Sequence, residues 1–377
     1  MAKNNISPIA LFITALNGGG AQRVMVNLAN ALVDQTNHPI HLVLVRAEGV
    51  FIDYVRPEVR IINLNKKRTL SAVPALSRYL RSERPVVLMA RMDYVNIVAT
   101  VSWFFSGRLC RLVVSEATVI RPLSGSFLEK TRSWLMRKAM KLAYQQADCI
   151  VANSLATAET LDLYGIADRA SIETIHNPVL DVAIEEHIYE PFLFDRYRAE
   201  HTFICAVGRL AEEKGFDCLL NAVAKLKNET FDLVILGEGP LRAQLEDQAV
   251  CLGIRERVHL PGFVSDPIRV LKKSSLFVLS SRWEGFGNVI VEALSTGVPV
   301  VATDCCGAPR ELLLDGKLGH LVPPDDPDAL AAAITEAFSA PRGTKEERMN
   351  RAADFLAPVI AKQYLEQAFE IKAQSTK

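Results

Sequence analysis

No stretch of the 377 residues holds the roughly 18 to 20 consecutive apolar side chains that a membrane-spanning helix needs. Net charge is missing too. Lys and Arg number 43, and so do Asp and Glu, so the total says nothing about an anionic partner. Glycine and proline, at 20 and 18 residues, are too sparse for a low-complexity chain and sit where turns belong. The seven cysteines include no C-x-x-C pair and no histidines at zinc spacing, so no metal site is expected. Their odd number and the adjacent Cys305 and Cys306 argue against a disulfide framework and fit a reduced, cytosolic compartment. The N-terminus has one lysine before a mostly apolar Ile6 to Leu16. This reads as a first buried strand rather than a signal peptide, because it runs straight into glycines and a helical pattern.

What is present is a chain long enough for two domains, 49% hydrophobic, with an uneven charge distribution. Residues 1–146 hold 20 Lys/Arg against 8 Asp/Glu, and the rest hold 23 against 35. A basic first half suits an anionic membrane surface, a basic substrate cleft or merely solvated helices. It carries no nucleic-acid recognition motif, so no nucleic-acid partner is expected.

The first half alternates short apolar runs with helical patterns. Strands are expected near Ile9–Ala15, Ile40–Val45, Val59–Leu64, Val86–Ala90, Arg111–Ser115, Ile150–Ala152 and Ser171–Ile175. Such alternation implies an α/β fold with a doubly wound parallel sheet, whose ligands sit beyond the carboxyl ends of the strands. There the sequence places Gly18, Gly19 and Gly20, with Arg23 one turn on, and Glu116 after the fifth strand. The glycine loop opens a helix and can seat an anion. It matches neither the G-x-G-x-x-G dinucleotide signature nor a P-loop. Glu116 is a candidate acceptor contact, or else a partner of Arg121.

From Phe127 to Tyr144 the pattern is helical. Leu128, Leu135, Ala139 and Leu142 share one face, and Lys130, Arg137, Lys138 and Lys141 fall opposite, with Phe127 and Trp134 among the cations. Aromatics interleaved with cations suit a membrane interface, and a solvated charged face is the alternative. Trp103-Phe104-Phe105 is either a second apolar tip or core.

Residues 181–200 are poorly periodic and read as a linker between a first domain, 1–180, and a second, 201–357. A last helix near 358–377 is expected to return to the first domain. The second half opens with a strand, Phe203–Val207, ending in Gly208-Arg209 and, five residues on, Lys214. Arg209 offers a planar fork for phosphate oxygens and Lys214 a point charge. The strand Phe231–Leu236 ends at Gly237. The strand Leu276–Leu279 leads through Glu284-Gly285-Phe286-Gly287-Asn288 into a helix containing Glu292 and stopping at Gly297-Val-Pro299. That loop is a phosphate seat flanked by two carboxylates, or simply a capped loop with two solvated glutamates.

In order along the chain, G-G-G-A-Q-R, G-R-L-x-x-E-K-G, L-G-E-G-P, L-P-G-F, E-G-F-G-N-x-x-x-E-A-L-x-x-G-x-P-V-V-A-T and G-x-L-V resemble the family 4 retaining glycosyltransferases of GT-B architecture, with two facing Rossmann-like domains. The resemblance is strongest from Gly208 to Pro324. It implies transfer of a hexose or N-acetylhexosamine from a nucleotide-diphosphate sugar, most often a UDP-sugar, to an acceptor hydroxyl with retention, without a cofactor or metal. Arg209, Lys214 and the N–H groups near Asn288 would stabilise the leaving diphosphate. Glu292 would hold ribose and Glu284 the sugar hydroxyls. Gly208, Gly237, Gly285, Phe286 and Gly287 would line the donor. Relatives often carry a histidine where Glu116 stands. With the basic helix, the resemblance implies a lipid-linked or lipopolysaccharide acceptor and a peripheral, cytoplasmic position on the inner membrane face. A nucleotide-sugar epimerase of the same fold, or an inactive scaffold, are the alternatives.

Overall fold

The computed structural model describes residues 6–121, 126–181, 202–226 and 231–374. Two compact units emerge, one of residues 1–181 with 355–377, the other of 182–354.

The first unit holds seven parallel strands: β1 (Ile9–Ile13), β2 (Ile40–Leu44), β3 (Arg60–Asn63), β4 (Val87–Arg91), β5 (Arg111–Glu116), β6 (Cys149–Ala152) and β7 (Ile172–Thr174). Their order is β3-β2-β1-β4-β5-β6-β7. The chain steps outward from β1 to β3, then returns to the other side of β1, with Ile9 paired to both Ile40 and Val87. The strands are almost wholly apolar because helices cover both faces. One face packs Ile9, Leu11 and Ile13 against Met25, Leu28 and Leu32 of the helix Gly20–Val33. The same cluster takes in Ala357, Ile360, Tyr364, Leu365 and Phe369 of the last helical stretch, whose end, Tyr364–Ala368, is a π turn. The other face packs Ala10 and Phe12 with Val95, Trp103, Met140 and Tyr144.

The second unit holds six parallel strands: β8 (Thr202–Val207), β9 (Phe231–Leu236), β10 (Val258–Gly262), β11 (Leu276–Leu279), β12 (Val300–Thr303) and β13 (His320–Val322). The order is β10-β9-β8-β11-β12-β13. The direction of strand addition reverses again, between β8 and β11. At that point the loops after two neighbouring strands diverge and leave a crevice at their carboxyl ends.

The basic helix Phe127–Tyr144 does not bury its leucines. Its buried arc is Met140, Ala143 and Tyr144, with Met136 half-buried beside them. Leu128, Leu135 and Leu142 are therefore not the core face; they are 78%, 56% and 67% exposed. The helix turns toward the sheet a third arc that lies between its leucines and its lysines. Arg137 is likewise not an open cation. It stacks 4.2 Å from the Tyr164 ring centre and donates to the Arg121 carbonyl. Lys130, Lys138 and Lys141 are exposed, and Trp134 is half-exposed with the Lys138 ammonium 5.6 Å from its ring centre. The side chain of Phe127 lies outside the described residues. In the neighbouring helix Asp93–Ser106, Trp103 is core and donates to the Cys110 carbonyl, while Phe104 and Phe105 stand in solvent. Among the described residues no helix is long and apolar enough to cross a membrane.

Candidate functional site

Three loops meet at the carboxyl ends of β8, β9 and β11. Gly237, at φ +144°, lets the end of β9 close on β8; a Cβ there would lie 1.9 Å from the Gly208 carbonyl oxygen. Gly208 leaves room for the stem of Lys214, whose carbons lie 3.1–3.2 Å from where a Cβ would be. The tight turn Glu212–Lys214 ends in Gly215, at φ +58°, where a side chain would strike the Ser280 carbonyl. The glycines of the sequence motifs therefore mark places where backbone approaches backbone.

Lys214 reaches across the strand ends, and its Nζ donates to Glu284 Oε1 at 2.6 Å. Ser281 Oγ donates to the same oxygen at 2.6 Å. Both side chains are largely buried, at 18% and 9% exposure. Glu284 is fixed from the other side as well. Its N–H bonds to the Cys306 carbonyl, and Gly307, at φ +138°, lies so close that a Cβ would strike the Glu284 carbonyl at 2.3 Å.

Glu284 leads into the helix Asn288–Thr296, whose N-cap, Gly287, is left-handed at φ +87°. Glycine supplies no side-chain cap, and the positive end of the helix favours an anion at this mouth. Gly285 and Asn288 are half-buried at this mouth, and Phe286 is buried beneath it. Glu292 is buried one turn into the helix. The other end is held by Arg348, whose Nε and Nη2 donate to the Gly297 carbonyl at 3.0 and 2.9 Å. Arg209 differs from Lys214. It is exposed, and among the described residues its guanidinium has no hydrogen bond or ion pair.

One arginine of this site was not singled out from the sequence. Arg282 donates through Nε to Asp325, through Nη2 to Asp217 and through Nη1 to the Glu212 carbonyl, each at 2.7 Å. Its signal in the sequence is slight, because its partners Asp217 and Asp325 lie 65 and 43 positions away.

In the first unit Gly18, at φ +101°, Gly19 and Gly20 form an open mouth to the helix Gly20–Val33, again with no side-chain cap. Arg23 lies half-buried in its first turn, its N–H on the Gly19 carbonyl. Glu116 departs from the expectation of a pairing with Arg121. It is fully buried and accepts from Tyr144 Oη at 2.7 Å, Thr118 Oγ1 at 2.8 Å and the N–H groups of Ala117 and Thr118. Burial pushes its pKa up, and these donors pull it back. The reason for the departure is Tyr144: the arc of its helix that faces the sheet ends in a phenol aimed at the end of β5. Arg91, also fully buried, closes β4 by donating to Ser115 and Asn177. Among the described residues no group of three or more His, Cys, Asp or Glu could hold a metal ion.

With this geometry in hand, two family profiles match the chain, "Glycosyltransferase Family 4" over residues 18–180 and "Glycosyl transferases group 1" over 195–354. The chain is 31% identical over 337 residues, 85% of its length and 87% of the relative's, to an N-acetylgalactosamine-N,N'-diacetylbacillosaminyl-diphospho-undecaprenol 4-alpha-N-acetylgalactosaminyltransferase of Campylobacter jejuni. A second Campylobacter jejuni protein, an alpha-1,4-N-acetyl-D-galactosaminyltransferase acting on GalNAc-alpha-(1->4)-GalNAc-alpha-(1->3)-diNAcBac-PP-undecaprenol, is 26% identical over 97% of this chain and 99% of its own. Among solved structures, Anabaena HepE in complex with UDP superposes with a TM-score of 0.75 at 21% identity, over 97% of this chain and 100% of that one. The lipopolysaccharide outer core galactosyltransferase WaaB, in its apo form, gives 0.72 at 21% identity over 96% and 99%. These two likenesses establish the GT-B fold.

Proposed function

The chain belongs to the family 4 glycosyltransferases, and from that premise we propose that it moves a hexose or N-acetylhexosamine from a UDP-sugar to a lipid-linked glycan, with retention at the anomeric carbon. The observation that carries the reading is the pairing of Lys214 with Glu284 beside an uncapped helix mouth. A cation, a carboxylate and the positive end of a helix suit a ligand that carries both a diphosphate and sugar hydroxyls. On donor binding, Lys214 exchanges part of its contact with Glu284 for a phosphate oxygen. Glu284 then takes hydroxyls of the transferred sugar, and Glu292 takes those of the ribose. Arg209, open in the donor-free protein, closes on the diphosphate. As the glycosidic bond breaks, negative charge grows on the leaving UDP, where these donors already point. Gly208, Gly237, Gly285, Phe286, Gly287 and Asn288 shape the donor seat. Gly18, Gly19, Gly20 and Arg23 belong to the acceptor side. The two carboxylates position and stabilise an oxocarbenium-like sugar rather than act as a hydrolase acid and base. No resident metal is assigned.

The relatives act on glycans carried by undecaprenyl diphosphate, which supports a lipid-linked acceptor here. Lys130, Lys138, Lys141, Trp134 and the outward leucines support a peripheral seat on an anionic membrane, on its cytoplasmic face. The test is a thermal-shift screen over nucleotide sugars, followed by mass analysis of undecaprenyl-diphosphate glycans incubated with the stabilising donor. A product one hexose or N-acetylhexosamine heavier, α-linked by NMR, is expected. Conversion of the donor alone to its epimer would overturn the reading.

A further inference from the structure

We propose that Arg282 is a positioning residue that sets Lys214 against Glu284. This rests on the reading of those two residues given above. Arg282 stands two residues before Glu284, in the loop that leaves β11. Its guanidinium leaves that loop and reaches three points of two other segments. Nη1 and Nη2 hold the Glu212 carbonyl and the Asp217 carboxylate on either side of Lys214, and Nε holds Asp325 in the loop after β13. Its own N–H donates to the Glu213 carbonyl at 2.8 Å. Ser280 completes the seam, its Oγ donating to the Lys214 carbonyl at 2.8 Å.

The Lys214 turn is thus tied to the Glu284 loop at both ends of the turn by one side chain. The planar fork matters, since its three separate nitrogens each reach one of three spaced acceptors, whereas the donors of a lysine ammonium fan from a single nitrogen. Without the fork, the Glu212–Lys214 turn is held to residues 280–282 by the Arg282 N–H and the Ser280 hydroxyl. The ammonium then loses the register that puts it 2.6 Å from Glu284.

Two measurements test the proposal on the full chain. The first labels lysine amines of the donor-free protein with an acylating reagent and reads each site by peptide mass spectrometry. In Arg282→Ala, Lys214 reacts about threefold faster or more as its pairing loosens, while the exposed Lys317 and Lys362 keep their parental rates. Arg282→Lys recovers only part of the protection. The second is a double-mutant cycle read as UDP affinity by calorimetry. Arg282→Ala weakens UDP by about tenfold in the parent and by less than about twofold in a Lys214→Ala background, because it acts through Lys214. Unchanged Lys214 labelling, or equal losses in both backgrounds, overturns the positioning role. Parental UDP affinity in Lys214→Ala overturns instead the diphosphate reading of the site, and the labelling then still decides Arg282. Should Arg282→Ala fail to fold, Asp217→Asn and Asp325→Asn each remove one arm. Each is expected to raise Lys214 labelling, and parental rates in both variants overturn the proposal.

Discussion

Lys214 and Arg209 stand five positions apart, and their surroundings separate their roles. Lys214 is preorganised, buried over Gly208 and held by Glu284. Arg209 is open and must be ordered by its ligand. Loss of either should lower turnover by on the order of a hundredfold, as removal of a charge-stabilising donor does. Steady-state kinetics of UDP release should show the loss mainly in kcat, and turnover within a few-fold of the parent removes the residue from the mechanism. Glu292→Ala should instead raise the apparent KM for the donor; an unchanged KM refutes the ribose assignment. Gly237→Ala should be the most disruptive single methyl in the site, because the added carbon would sit 1.9 Å from the Gly208 oxygen. A lowered Tm together with weakened UDP binding is expected, and parental values for both would count against the close approach. At this scale the motif residues were legible because each motif is contiguous in the chain. Arg282 and Arg91 were not, because their partners come from distant strand ends. Glu116 was legible as the residue closing β5 but not as a buried one, since nothing local in the sequence pairs it with Tyr144, 28 positions on.

At the scale of elements, periodicity finds helices more surely than it finds their buried faces. The stretch Phe127–Tyr144 shows why. Leucines, lysines and a tryptophan share a wide exposed arc, and the narrow buried one is made by methionines, an alanine and a tyrosine. The helices Leu155–Leu163, Pro267–Leu271 and Pro309–Leu312 escaped notice because they are one to three turns long. Lys345–Ala353 escaped for another reason. Its buried residues are Arg348 and Ala352, which make no apolar stripe, although its capping box of Thr344 and Glu347 was open to reading. The exposed leucines carry a prediction. Replacing Leu128 and Leu135 with glutamate should leave the Tm near the parental value, because neither side chain packs on the core, and should abolish sedimentation with anionic vesicles. Replacing Lys130, Lys138 and Lys141 with glutamine should weaken that binding and flatten its salt dependence. Equal binding of parent and variants to anionic and neutral vesicles would remove the membrane seat from the proposal.

At the scale of the whole molecule, alternating apolar runs and helical patterns were enough to imply parallel doubly wound sheets. Strand order was not legible, since alternation fits any sequence of right-handed crossovers. What sets it is packing, and each sheet buries one histidine as part of that packing. His41, in β2, sits against the Tyr79 hydroxyl, with Nδ1 2.8 Å from Oη. His320 opens β13, with Nε2 facing the Ala340 carbonyl and Nδ1 3.6 Å from Glu336. Burial lowers the pKa of both, with Arg60 adding to the effect at His41 and the Ala340 and Glu336 oxygens opposing it at His320. The folded protein therefore binds fewer protons at these sites than the unfolded chain does. Their contribution to stability is fully present above the unfolded value of about 6.5 and is lost as pH falls through the lower folded values. Thermal unfolding at pH 7.5 and pH 5.5 should show a drop in Tm toward the acid side. A His41→Asn, His320→Asn double variant should be less stable at pH 7.5 and should show a smaller drop between the two pH values. If the drop is the same in both proteins, the acid sensitivity has another source and the two buried imidazoles do not govern it.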